Sequence, residues 1–192
     1  MAGLFQEIAD LQTESITLRG SLYPLDLKTM QGKTTTKLKI EQMKPLPVNP
    51  NYEFMVRESF AKQGLMDHIG AELITVRPGF SEIRLPYCNG VSQQHGLFHG
   101  GVTASILDTA GGYAGLSLFE ADDGILTVEF KINLIAPAMG DELIARGEVV
   151  KPGKSLTVTR GEAIVVKNGM KTPCAIMQQT LMRIVDRPDV AG

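Results

Sequence analysis

The run Ser92-Gln93-Gln94-His95-Gly96-Leu97-Phe98-His99-Gly100-Gly101 leads into a long proline-free segment that carries a single carboxylate, Asp108. Glycines in the first turn of a helix leave backbone N–H groups bare, and these groups have no partner within the helix. Such an end can hold a developing oxyanion. The same glycines would equally serve packing alone, by letting the helix approach a strand.

Asp108 is the sharper feature. On a helix, positions 101, 104, 105, 108, 111, 112 and 115 share one face, and here they are Gly, Ala, Ser, Asp, Gly, Gly and Gly. The carboxylate therefore stands among tiny neighbours with room beside it. A carboxylate turned toward the interior must be paired or hydrogen-bonded, and those conditions suit a general base. They also suit a plain helix carboxylate satisfied by a Ser or Thr on a facing strand.

Spacing couples the two features. Gly100 and Asp108 are eight residues apart, about 12 Å along a helix at 1.5 Å per residue, which is too far for both to act on one carbonyl. If both are catalytic, Gly100 of one subunit must meet Asp108 of another. That predicts a two-fold dimer with antiparallel central helices and two composite sites.

These residues need elements to hold them. A helix is expected over Tyr52 to Gln63, with Gly64 as its C-cap. Strand-like runs at Ala71 to Arg77 and Ser81 to Leu85 flank Pro78-Gly79 and read as a hairpin. His99 to Phe119 reads as the central helix, and its five glycines weaken it so that tertiary packing must hold it. Runs at Ile125 to Ile135, Asp141 to Val150, Ser155 to Val166 and Lys171 to Ile184 read as an antiparallel meander. The fold class is α+β, an antiparallel sheet wrapped around a long central helix. Residues 1–50 read as an extension: an amphipathic helix over 4–14, with Leu4, Ile8 and Leu11 on one face, then a basic, proline-containing linker with alternation at 36–40. Residues 51–186 form the main domain and 187–192 a tail.

Composition narrows the function classes. The 192 residues are 43% hydrophobic and 21% charged, as in globular proteins, and 19 basic against 21 acidic residues give a net charge of −2. The chain as a whole has no attraction for nucleic acid or anionic lipid. Cys88 and Cys174 lack metal-site spacing, so no metal is expected and both are read as packing residues. No stretch has the length and apolarity of a spanning helix, and the N-terminus resembles neither a secretory signal nor a transit peptide, so a reducing, cytoplasmic location is expected.

His99-Gly100-Gly101, the Asp nine positions after that His, the Gly three before it, Thr127-Val128-Glu129, Ile135-Ala136-Pro137-Ala138-Met139-Gly140 and the Lys-Pro-Gly-Lys turn together resemble the hotdog-fold acyl-CoA thioesterases of the phenylacetate-pathway (PaaI-like) type. The resemblance covers about Tyr52 to Ile184. The Ser-Gln-Gln-His-Gly-x-Phe-His run is most similar to the bacterial branch acting on medium- and long-chain acyl-CoA, which implies fatty acid metabolism. The resemblance implies Asp108 as general base or nucleophile and the Gly100 N–H as the donor to the thioester oxygen. Gln93 stands where many relatives have an Asn that places water or substrate. Thr127 matches a Ser or Thr that orients the carboxylate across the interface. His99 takes a substrate-contact or structural role beside Gly101. Because CoA is a polyanion, Lys151 and Lys154 at the Pro152-Gly153 turn are the candidate phosphate contacts, with Arg160 nearby. No cofactor is implied, and the expected assembly is a homodimer or a tetramer of two such dimers. A non-catalytic acyl-CoA binding or sensing module on the same fold is the alternative. A hydratase of enoyl thioesters is a third reading, whose His and carboxylate arrangement is not evident here.

Overall fold

The computed structural model describes residues 16–18, 21–23, 45–185 and 187. The chain divides into two compact units, residues 1–46 and 47–192. In the first, strands β1 (Ile16–Leu18) and β2 (Ser21–Tyr23) pair antiparallel, with Ile16 opposite Tyr23 and Leu18 opposite Ser21. The elements expected from sequence do not include this hairpin. The helix expected over 4–14 and the lysine-rich run with its alternation at 36–40 lie outside the described residues.

The second unit runs α1 (Tyr52–Ala61), α2 (Gly64–Ile69), β3 (Glu72–Arg77), β4 (Phe80–Pro86), a single 3-10 turn at Asn89–Val91, α3 (Gly100–Leu116), β5 (Gly124–Leu134), β6 (Glu142–Lys151), β7 (Leu156–Lys167) and β8 (Met170–Ile184). Gly64 is not the C-cap expected of it. The first helix ends at Ala61, Gln63 turns extended, and Gly64 opens a second helix that drops Met66 into the core. The left-handed cap falls on Gly70, at φ +70°, where a glycine is free of the usual Cβ penalty. Gly79, at φ +73°, closes the β3–β4 hairpin as the Pro-Gly signal predicts.

All six strands of the main sheet are antiparallel, in the order β3-β4-β6-β7-β8-β5. The meander expected for the last four strands therefore holds only for β6, β7 and β8. β5 crosses to the far edge and pairs with β8, while β6 takes the place beside β4. The fit under the helix accounts for this. A Cβ on Gly147 of β6 would sit 2.3 Å from the Ala110 carbonyl oxygen of α3, and Gly161 of β7 lies directly opposite Gly147. The strands pressed hardest by α3 must carry glycine there, whereas β5 turns Phe130, Ile132 and Leu134 to the same face. Those side chains fit only at the rim.

Ile106, Leu107 and Ala110 of α3 pack on Ile83, Leu85, Leu143, Ala145, Ala163 and Val165 to form the main core. Tyr113 and Leu116 continue it toward Met55, Val56 and Val76. Burial of this kind holds a glycine-rich helix that would not persist alone. Cys174 is a packing residue as expected: it is buried, its thiol donates to the Ala163 carbonyl, and burial pushes its pKa up. Cys88 is exposed, contrary to expectation, because it follows the outward-turned end of β4 rather than facing α3. Among the described residues, no helix is long and apolar enough to cross a membrane.

Candidate active site

His99 is the N-cap of α3, and its Nδ1 accepts the Gly101 N–H at 2.9 Å. The ring proton of the neutral imidazole therefore sits on Nε2. Gly101 has thus given its N–H to the cap, whereas the Gly100 N–H, at the first helical position, has no intrahelical acceptor and is the donor left for a ligand. Packing also accounts for glycine at 100, because a Cβ there would meet Leu134 Cδ1 at 2.8 Å. Gln93 lies on the preceding loop, where its Oε1 accepts the His95 N–H at 2.6 Å.

Asp108 sits two turns further along α3 and is half-buried. The Thr127 hydroxyl donates to its Oδ1 at 2.7 Å. This contact forms within one chain, so the expectation that Thr127 acts across an interface is corrected. The Gln179 amide donates to the same Oδ1, to the Asp108 carbonyl at 3.1 Å and to Thr127 Oγ1 at 3.1 Å. Gln179 is itself fixed, since Thr159 donates to its Oε1 at 2.8 Å. One carboxylate oxygen is thereby held by two neutral donors, and Oδ2 has no hydrogen bond among the described residues. The facing Thr expected for a plain helix carboxylate is present, and the second oxygen stays open.

Gln179 is the site residue that sequence reasoning missed. Its signal lay in the alternation of β8, where Met177, Gln179 and Leu181 all turn inward and an amide stands between two apolar side chains. At 1% exposure, such an amide must have partners. Gly111 makes room for it, because a Cβ there would fall 1.9 Å from Gln179 Oε1 and 2.9 Å from Thr159 Oγ1. Gly111→Ala is expected to destabilise the protein by about 1–3 kcal/mol despite its better helix propensity. Denaturant melts of the two proteins check this.

A cleft of about 310 Å³ opens beside Asp108, lined among others by Ser105, Asp108, Gly112, Tyr113 and Thr127. In its wall the Tyr113 hydroxyl accepts from Gln63 Nε2 at 2.9 Å and lies 3.3 Å from Ser59 Oγ. Burial raises the Tyr113 pKa, and these two hydrogen bonds oppose that rise. The cleft adjoins the open edge of the sheet. Phe130 and Leu134 face the helix side there yet are 44% and 59% exposed, because among the described residues β5 has no neighbour beyond it.

Other candidates lie away from this cleft. His99 and Gly100 stand at the N-terminal end of α3, and Gln93 on the loop that leads into it. Lys151 and Lys154 are exposed on the β6–β7 turn, close to the strand ends that carry Thr157 and Leu181, which pack by Gly115 near the other end of α3. Arg160 does not join them: it pairs with Glu148 at 2.6 Å on the outer face of the sheet. His68 and His95 are exposed. Among the described residues, no group of three His, Cys, Asp or Glu is placed to hold a metal ion.

The sequence pattern of the Thioesterase superfamily matches residues 95–170, from the loop before α3 into the start of β8. A solved Thioesterase family protein from Silicibacter pomeroyi is 44% identical, superposes with a TM-score of 0.68, and is matched over 98% of its length and 69% of this chain. The 1,4-dihydroxy-2-naphthoyl-CoA hydrolase of Listeria monocytogenes is 28% identical over 95 residues, which are 50% of this chain and 77% of that protein. The fold is also that of the E. coli PaaI protein from the phenylacetic acid degradation operon, with TM-score 0.62 and 21% identity over 70% of this chain and 94% of that one.

Proposed function

The chain belongs to the thioesterase superfamily, has its hotdog fold and is a thioester hydrolase, and from this premise we propose that it cleaves medium- or long-chain acyl-CoA at composite sites between two copies. The observation that carries the reading is Asp108, fixed through one oxygen by Thr127 and Gln179 at the wall of a cleft. In the proposed reaction Asp108 Oδ2 takes a proton from water, and the hydroxide adds to the thioester carbonyl. The carbonyl oxygen becomes an oxyanion held by the Gly100 N–H. Collapse breaks the C–S bond, and the thiolate leaves as CoA-SH with the proton from Asp108. A thioester carbonyl is electrophilic enough for one base and one oxyanion donor to suffice.

The second copy enters through distance. Asp108 lies about 12 Å along α3 from Gly100, so the oxyanion donor is assigned to the partner. An unpaired edge with exposed Phe130 and Leu134 supports the same pairing, since open apolar edges are covered in stable proteins. We place Gln93 and His99 beside the partner-supplied Gly100, where Gln93 Nε2 orients water or substrate. Lys151 and Lys154 serve as phosphate contacts from their exposed turn. A cytoplasmic location and a tetramer of two such dimers complete the proposal.

The test follows free thiol release from acyl-CoA esters of two to sixteen carbons. Release that peaks at medium or long chains supports the reading. Binding by calorimetry with no release from any ester would refute it in favour of the binding module.

A further inference from the structure

Of the five glycines in α3, four have their hydrogen-for-methyl choice explained by neighbours. Gly100 meets Leu134, Gly101 the His99 ring, Gly111 Gln179 and Thr159, and Gly115 Ile125 and Leu181. Gly112 is different: a Cβ built there would find no described atom within 4 Å. Its backbone is ordinary right-handed helix, so no turn demands glycine either. A glycine in a helix interior weakens the helix relative to alanine, and here no contact within the chain compensates.

Gly112 lines the cleft one helical turn beyond Asp108. The same cleft is lined by Ser105, Asp108 and Thr127, by Ser59, Gln63 and Tyr113, and by four apolar side chains, Leu65, Leu116, Ile125 and Leu181. Those four suit a hydrocarbon beside the carboxylate, and Leu116, one turn past Gly112, carries the apolar lining along α3. We infer that the acyl group lies along α3 across Gly112, and that the missing side chain at this position sets the width of acyl group the enzyme accepts. This inference rests on the acyl-CoA reading above. It makes Gly112 a specificity-determining residue and the preferred substrate one whose acyl body is apolar past the thioester.

The experiment compares Gly112→Ala and Gly112→Leu with wild type, measuring kcat/KM on acetyl-CoA, octanoyl-CoA and a ring-bearing ester such as phenylacetyl-CoA, together with melting temperature and oligomeric state. The octanoyl-to-acetyl ratio is expected to fall about threefold for Ala and at least tenfold for Leu, with the ring-bearing ester hit hardest. Gly112→Ala should also melt about 2–4 °C higher, because it gains helix propensity without a clash inside the chain. A ratio unchanged within twofold for Leu overturns the inference. So does an equal loss on all esters, with or without a changed oligomer, which would place the glycine at a packing contact. Absence of turnover by wild type on every ester is a different result, since it removes the acyl-CoA reading and the inference with it.

Discussion

Replacing Asp108 with Asn is expected to lower kcat on acyl-CoA by about 10²–10⁴-fold, the range spanned by a positioned general base. The substitution is chosen for what it keeps. An Asn Oδ1 still accepts from Thr127 and Gln179, so the hydrogen bonds that tie α3 to β5 and β8 survive, and the melting temperature should stay close to that of wild type. What is lost is the second oxygen as a proton acceptor. Near-normal kcat would remove Asp108 from the chemistry. A collapsed melting temperature would instead mark the network as structural, and Thr127→Val provides the comparison. That variant removes one donor without touching the carboxylate, and should reduce kcat less than the Asn variant does.

The second large effect concerns a backbone atom. Gly100→Pro deletes the single N–H proposed to hold the oxyanion, and the fold is prepared to accept it. Proline is favoured at the first helical position, where its fixed φ fits and no intrahelical hydrogen bond is lost. The residue before it must be extended, and His99 already is, at φ −66° and ψ 135°. Its Cβ would come within 2.8 Å of Leu134 Cδ1, the movable end of a side chain, which must shift to make room. Loss of one oxyanion donor is expected to reduce kcat by about 10²–10³-fold with little change in melting temperature. Mixing this variant with Asp108→Asn then tests the composite site. If base and donor come from different copies, random re-pairing makes half the dimers mixed, each with one intact site, and about a quarter of wild-type activity returns. If they come from one copy, every site keeps a defect and nothing returns.

Much of this was legible in the residues. Alternation bounded by Pro-Gly, Asp-Gly and Lys-Pro-Gly-Lys placed each strand of the main sheet within a residue or two, because turn chemistry and period-two patterning are local properties. The order of the strands was not legible. Which neighbour β5 takes depends on Gly147 and Gly161 lying under α3, a contact between residues far apart in the chain. Gly64 misled for a related reason: glycine is compatible with a helix end, and only the burial of Met66 decides that the chain coils again and caps at Gly70. At the site, Asp108 stood out as a lone carboxylate among small residues, and Thr127 came from a resemblance. Gln179 drew no notice because its partners, Thr127, Thr159 and the Asp108 backbone, are brought together by three strands and a helix.

The crossing of β5 to the rim also bears on how the protein emerges from the ribosome. β5 is complete at Leu134, but β8, its only hydrogen-bonding neighbour among the described residues, ends at Ile184. At synthesis rates of roughly 5–20 residues per second, those about 50 residues leave β5 without its partner for several seconds. During that interval Leu126, Val128 and Phe130 are unsheltered on a strand able to template pairing with other nascent chains. Glu129, Lys131 and Asn133 interrupt the apolar positions, a pattern that discourages such association. The pairing that carries Thr127 to Asp108 and Gln179 thus waits on β8, so the hydrogen-bond network around this carboxylate cannot close until the last strand of the sheet has emerged.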